Sequence, residues 1–153
     1  MTPELRIERL APAGVALALP LLQAQFTEHA IPLSPGEVEE ALRGLVDGRD
    51  RGAVLMASAP APIGIAVLAW TWTLEHGGRV GWLEELYVSP AFRNRGIGRR
   101  LLAAALDVAR AEGCRAIDLE VAVEHRQAER LYERAGFRRL DRTRFGVELV
   151  RAT

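Results

Sequence analysis

Apolar residues recur along the chain at two different spacings, which predict a mixture of helices and strands. Over residues 12–30 they return every three or four positions, as on a helix with one buried face. A second helix is predicted over residues 35–48, because Ser34 is a suitable N-cap and Pro35 suits the first helical position. The alternation over residues 5–8 indicates a short edge strand ahead of both helices.

The remaining pattern continues with strands and two further helices. The predicted strands are residues 53–57, 63–74, 80–88, 116–121, 137–141 and 145–150. The first of the two further predicted helices ends at Gly113, and the second spans residues 126–135. Strands 80–88 and 116–121 are joined through a helix, so they are expected to be parallel neighbours.

Composition narrows the class of protein. The chain has 153 residues, 49% of them hydrophobic, and 20 acidic residues balance 20 basic ones. One domain over residues 1–153 is therefore expected, with no net charge to draw it to nucleic acid or a membrane surface. All the basic residues are arginine, and no apolar run is long enough for a membrane span. Cys114 is the single cysteine, which favours a reducing, cytoplasmic setting.

A basic glycine loop separates strand 80–88 from the helix that follows. Glycine lets the backbone approach a ligand closely, and the N-terminus of a helix presents unpaired N–H groups that suit an anion. Four arginines surround this loop: Arg93, Arg95, Arg99 and Arg100. The absence of lysine excludes the GxxxxGK[ST] phosphate loop, and no third glycine stands at the dinucleotide-binding spacing.

Two motifs carry a family resemblance. The first is Arg-x-x-Gly-x-Gly at residues 93–98 after Leu86-Tyr87-Val88, and the second is AERLYERAGF at residues 128–137. Together they resemble the GCN5-related N-acetyltransferases, over roughly residues 63–145. The resemblance implies an α/β (α+β) acyl-CoA N-acyltransferase fold, with a mostly antiparallel sheet of six to seven strands and helices on both faces. It also implies acetyl-CoA as cofactor and a homodimer.

The same resemblance implies the cofactor-binding residues. They are Leu86, Tyr87, Val88, Arg93, Asn94, Arg95, Gly96, Ile97, Gly98, Arg99, Arg100, His125, Ala128 and Tyr132. His125 stands where the family commonly has asparagine, seven residues before the tyrosine. Because histidine can also donate or accept a hydrogen bond, a contact with the pantetheine arm is still expected there, with altered geometry.

Direct transfer to an amine requires a base, a stabilised oxyanion and an acid, and no metal. Glu84 and Glu85 are adjacent on one strand, so only one of them can point inward. By similarity to the spermidine and thialysine N-acetyltransferase subgroup, Glu84 is the first choice for base and Glu85 attracts the acceptor's other cationic end. A backbone N–H near Leu86 or Val88 is expected to stabilise the oxyanion, and Tyr132 to protonate the departing thiolate.

The acceptor side is less defined. Glu28 and His29 lie near the end of the first predicted helix and are candidates for contact with substrate, and a solvated helix end is the alternative that the sequence favours. Trp72 can hold an amine by a cation–π contact, or belong to the core or a dimer interface. The acidic pair favours a small cationic amine. A protein N-terminal acetyltransferase and a non-catalytic acyl-CoA-binding module of the same fold are the alternatives.

Overall fold

The computed structural model of the chain describes residues 3–150. The described residues form two compact units, which divide between Val121 and Ala122. The predicted domain of residues 1–153 also includes residues 1–2 and 151–153, which lie outside the described residues. Each unit is considered by itself.

The first unit is built on one sheet of five strands in the order β1-β2-β3-β4-β5. The strands are β1 (Arg6–Arg9), β2 (Gly52–Ser58), β3 (Pro62–Thr73), β4 (Gly78–Val88) and β5 (Ile117–Asp118). The first four pair antiparallel in sequence order, whereas β5 pairs parallel with β4. The predicted edge strand and the predicted parallel pair are both confirmed.

The prediction of six to seven strands is wrong for the described residues. Residues 137–141 and 145–150 form no strand, and β5 has two residues instead of the six predicted. Alternation of apolar and polar residues is a local signal, whereas a strand also needs a neighbour that receives its backbone hydrogen bonds. The mixed, mostly antiparallel sheet nevertheless confirms the predicted fold class.

Three helices belong to the first unit. They are α1 (Val15–Glu28), which follows a short 3-10 turn at Pro12–Gly14, α2 (Pro35–Asp47) and α3 (Ile97–Ala111). Ser34 caps α2 as predicted: its hydroxyl accepts from Glu37 N at 3.3 Å, and the Glu37 carboxylate accepts from Ser34 N at 2.7 Å. This reciprocal pair fixes the start of α2.

Helices cover both faces of the sheet, as predicted. On one face α1 and α2 pack over a buried cluster that includes Ile65, Val67 and Tyr87. Gly64, next to Ile65, faces α3 instead, since a Cβ at Gly64 would lie 2.9 Å from Leu101 Cδ1. Adjacent residues of a strand point to opposite faces, so α3 lies on the other side of the sheet.

The second unit contains α4 (Arg126–Arg134). Gly136 follows the helix with φ of +96°, a conformation that favours glycine, and it ends the helix as predicted. The rings of Tyr132 and Phe137 pack edge to face, with their centroids 5.8 Å apart. Among residues 3–150, no helix is both long and apolar enough to cross a membrane.

Candidate active site

One edge of β4 is open at its C-terminal end. The strand pairs with β3 along its length, but it pairs with β5 only at Gly81 and Trp82. Within the described residues, β4 therefore has no strand neighbour on this side from Leu83 to Val88. A strand edge of this kind presents backbone N–H and C=O groups that a ligand can use.

The register decides which backbone groups reach that edge. Ser89 N donates to Ile63 O at 2.8 Å, so in the alternating antiparallel pattern the N–H groups of Leu86 and Val88 point away from β3. Val88 O follows the same alternation and accepts a hydrogen bond from Arg93 Nε at 2.8 Å. The Leu86 and Val88 amides predicted as oxyanion donors therefore lie on the open side of β4.

A bulge separates the two adjacent glutamates. Glu85 is opposite Val67 and Leu83 is opposite Leu68, so Glu84 is the extra, bulged residue in the register of β4 with β3. Glu84 is exposed, whereas Glu85 is half-buried on the face that α1 covers. The bulge therefore turns Glu85, and not Glu84, toward the interior beneath α1.

The environment of Glu85 makes its carboxyl a weak acid. The pKa of Glu85 is raised from 4.5 to about 7: burial is the largest cause, the nearby negative charge of Glu84 also raises it, and a hydrogen bond from Gln25 opposes both effects. The Gln25 side-chain amide donates that bond to Glu85 Oε2. A carboxyl with a pKa near neutrality exchanges protons readily at physiological pH, as a general base must.

Gln25 is absent from the residues that the sequence predicts for this site. It is 5% exposed, and it continues the buried face of α1 beyond Leu21 and Leu22. A signal was present, because a glutamine at an apolar position of a helix stripe has a buried polar group that needs a partner. The identity of that partner depends on a residue 60 positions away, which no local pattern contains.

The loop before α3 has the backbone of an anion site. Asn94 has φ of +62°, and Gly96, the N-cap of α3, has φ of +77°. No side chain caps this helix end, and a Cβ at Gly96 would meet nothing within 4 Å. The first N–H groups of α3 are therefore left without helical or capping partners, which suits a negatively charged ligand.

The four arginines of this region differ in their surroundings. Arg95, Arg99 and Arg100 are exposed beside the helix N-terminus, and the Arg95 guanidinium lies 5.5 Å from the centre of the Phe92 ring. Arg93 is instead held by protein groups: it donates to both carboxylate oxygens of Glu28, at 3.0 and 2.8 Å. Three arginines thus remain for an anion.

Arg93 also packs over the ring of Tyr87, 5.3 Å from its centre. The hydrogen bond from Arg93 lowers the pKa of Glu28, which stays ionised. Burial raises the pKa of the Tyr87 hydroxyl, and the negative charge of Glu28 raises it further. These contacts tie the end of α1 to the end of β4, so Glu28 has a structural partner, and His29 caps the end of the same helix.

The Glu28–Arg93 pair is expected to add modestly to stability. Both side chains are about 40% exposed, so solvent screening limits the pair to about 0.5–1 kcal/mol. The pKa of Glu28 is lowered in the folded protein, so this contribution is present above its unfolded pKa and is lost as the pH falls through the folded value. Urea unfolding of Glu28→Gln, Arg93→Ala and the double variant at pH 7 and pH 3 measures it; equal coupling energies at both pH values would contradict it.

Trp72 is not brought to this region. Trp72 is on β3, where it pairs with Arg79 of β4. It is five residues from Val67, the partner of Glu85, so Trp72 and Val67 are about 17 Å apart along the strand. Its side chain is 75% exposed and borders a separate cleft of about 510 Å³ with Gly78 and Arg115. The alternative that Trp72 belongs to the core is therefore wrong, and its cation–π contact with an amine stays a prediction.

The remaining predicted residues lie on the second unit. His125 is the N-cap of α4, and Ala128 and Tyr132 are four residues apart, so they share one face of that helix. Within residues 3–150, no group of three or more His, Cys, Asp or Glu side chains could hold a metal ion.

Comparisons with known proteins agree on one family. The model of the Acetyltransferase (GNAT) family matches residues 18–137. An aminoglycoside N(6')-acetyltransferase type 1 of Stenotrophomonas maltophilia is 33% identical over 124 residues, which are 78% of this chain and 80% of that protein. A thialysine N-epsilon-acetyltransferase of Sus scrofa is 37% identical over 70 residues, 46% of this chain and 39% of that protein.

Other relatives are longer than the matched region. An uncharacterized N-acetyltransferase of Methanocaldococcus jannaschii is 36% identical over 77 residues, 50% of this chain, and the match spans only 34% of that protein. Among solved structures, an aminoglycoside N-acetyltransferase in complex with CoA superimposes with a TM-score of 0.82 at 20% identity and covers 96% of each chain. This structural likeness concerns the fold.

Proposed function

This chain belongs to the acetyltransferase (GNAT) family, and on that basis we propose that it transfers the acetyl group of acetyl-CoA directly to a primary amine of a small cationic acceptor. The observation that carries the proposal is the Glu85 carboxyl, whose pKa is raised to about 7 beside the open edge of β4. A proton acceptor of this strength, next to backbone N–H groups that point away from β3, suits acyl transfer to an amine.

The region around the loop fits acetyl-CoA. The diphosphate would bind the N–H groups at the start of α3, where Gly96 has no side chain and Arg95, Arg99 and Arg100 supply positive charge. The pantetheine arm would hydrogen-bond to the open edge of β4 near Leu86 and Val88. Arg93 would then act on this site indirectly, since its guanidinium is bound to Glu28 and Val88 O.

Removing the acceptor's proton is the first requirement. An alkyl ammonium with a pKa of about 10.4 must lose a proton at pH 7, at a cost of roughly 4–5 kcal/mol. We assign this role to Glu85 in place of Glu84, because the carboxyl of Glu85 is half-buried and has a pKa near neutrality. Glu84, exposed at the bulge, would attract the positive charge of the acceptor.

The remaining steps follow from the amine lone pair. It attacks the thioester carbonyl, and the negative charge that develops on the carbonyl oxygen would be stabilised by the Leu86 N–H. The C–S bond would then break, the thiolate would leave and take a proton, and the acetylated amine would release its extra proton to water. We assign the proton donation to Tyr132, and this assignment rests on the motif at residues 128–137.

The class of acceptor is supported by charge and by relatives. Glu84 and Glu85 place two carboxyl groups together, which favours a cation. The names of two relatives are those of aminoglycoside and thialysine acetyltransferases, and both of those names describe small amines. The proposal also includes a homodimer and a cytoplasmic location. The single Cys114 is in keeping with that location. Light scattering of the purified chain tests the dimer.

Thiol release from acetyl-CoA tests the activity. The panel should contain polyamines, lysine analogues, aminoglycosides and peptides with free N-termini, and calorimetry with CoA should run beside it. Acetylation of the small amines is the expected result. Transfer to peptides alone would favour the protein N-terminal acetyltransferase, and CoA binding without transfer to any amine would favour the non-catalytic module.

Gly96→Ala is expected to weaken CoA binding by about 5- to 30-fold. A left-handed conformation costs an L-residue about 1–2 kcal/mol. The loop of Gly96→Ala avoids this cost by changing its conformation, which moves its N–H groups away from the positions that bind the ligand. Gly113→Ala is the matched control, because Gly113 also has φ of +77° and a Cβ there also meets nothing within 4 Å, but it lies at the other end of α3. Calorimetry that gives the same CoA affinity for both variants would contradict the assignment of the loop.

A further inference from the structure

Gln25 is a buried polar side chain in an otherwise apolar surface. The rest of the buried face of α1 is made by Val15, Ala18, Leu21 and Leu22. Gln25 Nε2 donates to Glu85 Oε2, whereas Gln25 Oε1 is the buried side-chain atom that has no hydrogen-bond partner among the described residues. An unpaired buried acceptor is rare in native proteins, so a methionine or leucine would serve packing better.

We propose that Gln25 is a positioning residue for the acceptor amine: its amide holds Glu85 Oε2 and thereby leaves Glu85 Oε1 to receive the proton of the ammonium. This inference rests on the proposed function, because it takes Glu85 as the proton acceptor. No hydrogen bond from a described residue reaches Glu85 Oε1, in contrast to Oε2.

An amide is suited to both states of the carboxyl. When Glu85 is ionised, Gln25 Nε2 donates to it, as observed. When Glu85 has taken a proton at Oε1, Oε2 is the carbonyl oxygen of the acid, and Gln25 Nε2 still donates to it. The amide therefore holds the carboxyl in one orientation before and after the proton transfer, and it binds the ionised form more strongly because hydrogen bonds to a charged acceptor are stronger.

Few charged groups act on Glu85 and its partner Gln25. The titratable residues of the elements packed against β4 are Glu28 on α1, Asp118 on β5, and Arg99, Arg100, Asp107 and Arg110 on α3, with none on β3; β4 itself carries Arg79, Glu84 and Tyr87. Glu28 is paired with Arg93, Asp118 contacts His76 at 3.3 Å, and α3 lies on the opposite face. Glu84 is the charge that acts on the pKa of Glu85, and Gln25 opposes it.

Gln25→Met tests the inference, because methionine keeps the length of the side chain and removes both donor and acceptor. Loss of a hydrogen bond to the ionised form is expected to raise the pKa of Glu85 by about one unit. With a starting value of about 7, kcat/KM at pH 7 then falls roughly fivefold and recovers by about pH 9. The readouts are carboxyl-carbon NMR titration of Glu85 and the pH dependence of kcat/KM, both on the full chain.

Gln23→Met is the matched control, since Gln23 is a half-buried glutamine on the same helix. The inference is supported if Gln25→Met raises the pKa of Glu85 and moves the acid limb of the kcat/KM profile to higher pH, and Gln23→Met does neither. The inference is overturned if the pKa of Glu85 is unchanged in Gln25→Met, or if that pKa rises and the acid limb of kcat/KM does not shift with it. Absence of transfer by the unmodified protein to every amine would overturn the proposed function, and the titration would still decide whether Gln25 holds the Glu85 carboxylate.

Discussion

Glu85→Gln is expected to lower kcat/KM at pH 7 by roughly 10²–10⁴-fold, the usual effect of removing a positioned general base. Glutamine has nearly the same shape, and it leaves Gln25 in contact with an amide oxygen, but it cannot accept the proton of an ammonium. Affinity for CoA should be unchanged, because the loop before α3 is untouched. Steady-state rates with the best amine of the panel, and calorimetry with CoA, measure the two quantities.

The pH dependence distinguishes a base from a packing residue. In the unmodified protein kcat/KM should rise with pH through the pKa of Glu85, about 7, and this acid limb should be missing in Glu85→Gln. Glu84→Gln provides the contrast: loss of the neighbouring negative charge should move the acid limb to lower pH and raise KM for a cationic amine, with kcat largely kept. A large loss of kcat in Glu84→Gln and a small one in Glu85→Gln would restore Glu84 as the base.

Glu85→Gln should also stabilise the protein at alkaline pH. The folded state holds the Glu85 proton up to about pH 7, whereas a glutamate has an ordinary pKa of 4.5. Between these values the folded state binds more protons than the unfolded state, so stability falls as the pH rises through this interval. Glu85→Gln removes that loss, and its Tm should exceed that of the unmodified protein at pH 8 but not at pH 4. A stabilised but inactive variant excludes misfolding as the cause of inactivity.

Local features of the site could be predicted from the sequence. The cap at Ser34, the glycine loop before α3 and the termination of α4 each depend on residues within one turn of each other, so the chain carries their signals directly. The two family motifs lie on a strand, a loop and a helix in the expected order. Short-range stereochemistry explains all of these successes.

Features that depend on distant residues could not be predicted. The register shift at Glu84 is set by pairing with β3 and turns Glu85 toward α1, whereas the alternation of a regular strand leaves open which of the two glutamates points inward, and the choice of Glu84 as base comes from the resemblance. Arg93 has the sequence context of an anion ligand, yet it is bound to Glu28, a residue 65 positions earlier. In each case a partner distant in the sequence sets the direction of the side chain, and no local pattern contains that partner.

Tyr132→Phe is expected to lower kcat by roughly 10²–10⁴-fold and to leave CoA affinity within a few-fold. Phenylalanine keeps the ring that packs against Phe137, so the edge-to-face contact at 5.8 Å survives and only the hydroxyl is lost. If Tyr132 donates the proton to the departing thiolate, the loss should be smaller for an acyl donor whose thiol has a lower pKa, since such a thiolate leaves without protonation. Rates with acetyl-CoA and with an acetylated aromatic thiol measure this difference.

Phe137→Leu is the control for packing within the second unit, because it removes the ring partner and keeps the Tyr132 hydroxyl. It should lower Tm and leave kcat near that of the unmodified protein, the reverse of Tyr132→Phe. Equal losses of kcat in the two variants would mean that the hydroxyl acts only through the structure of α4. An unchanged kcat in Tyr132→Phe would remove Tyr132 from the reaction, and the thiolate would then leave unprotonated or take its proton from water.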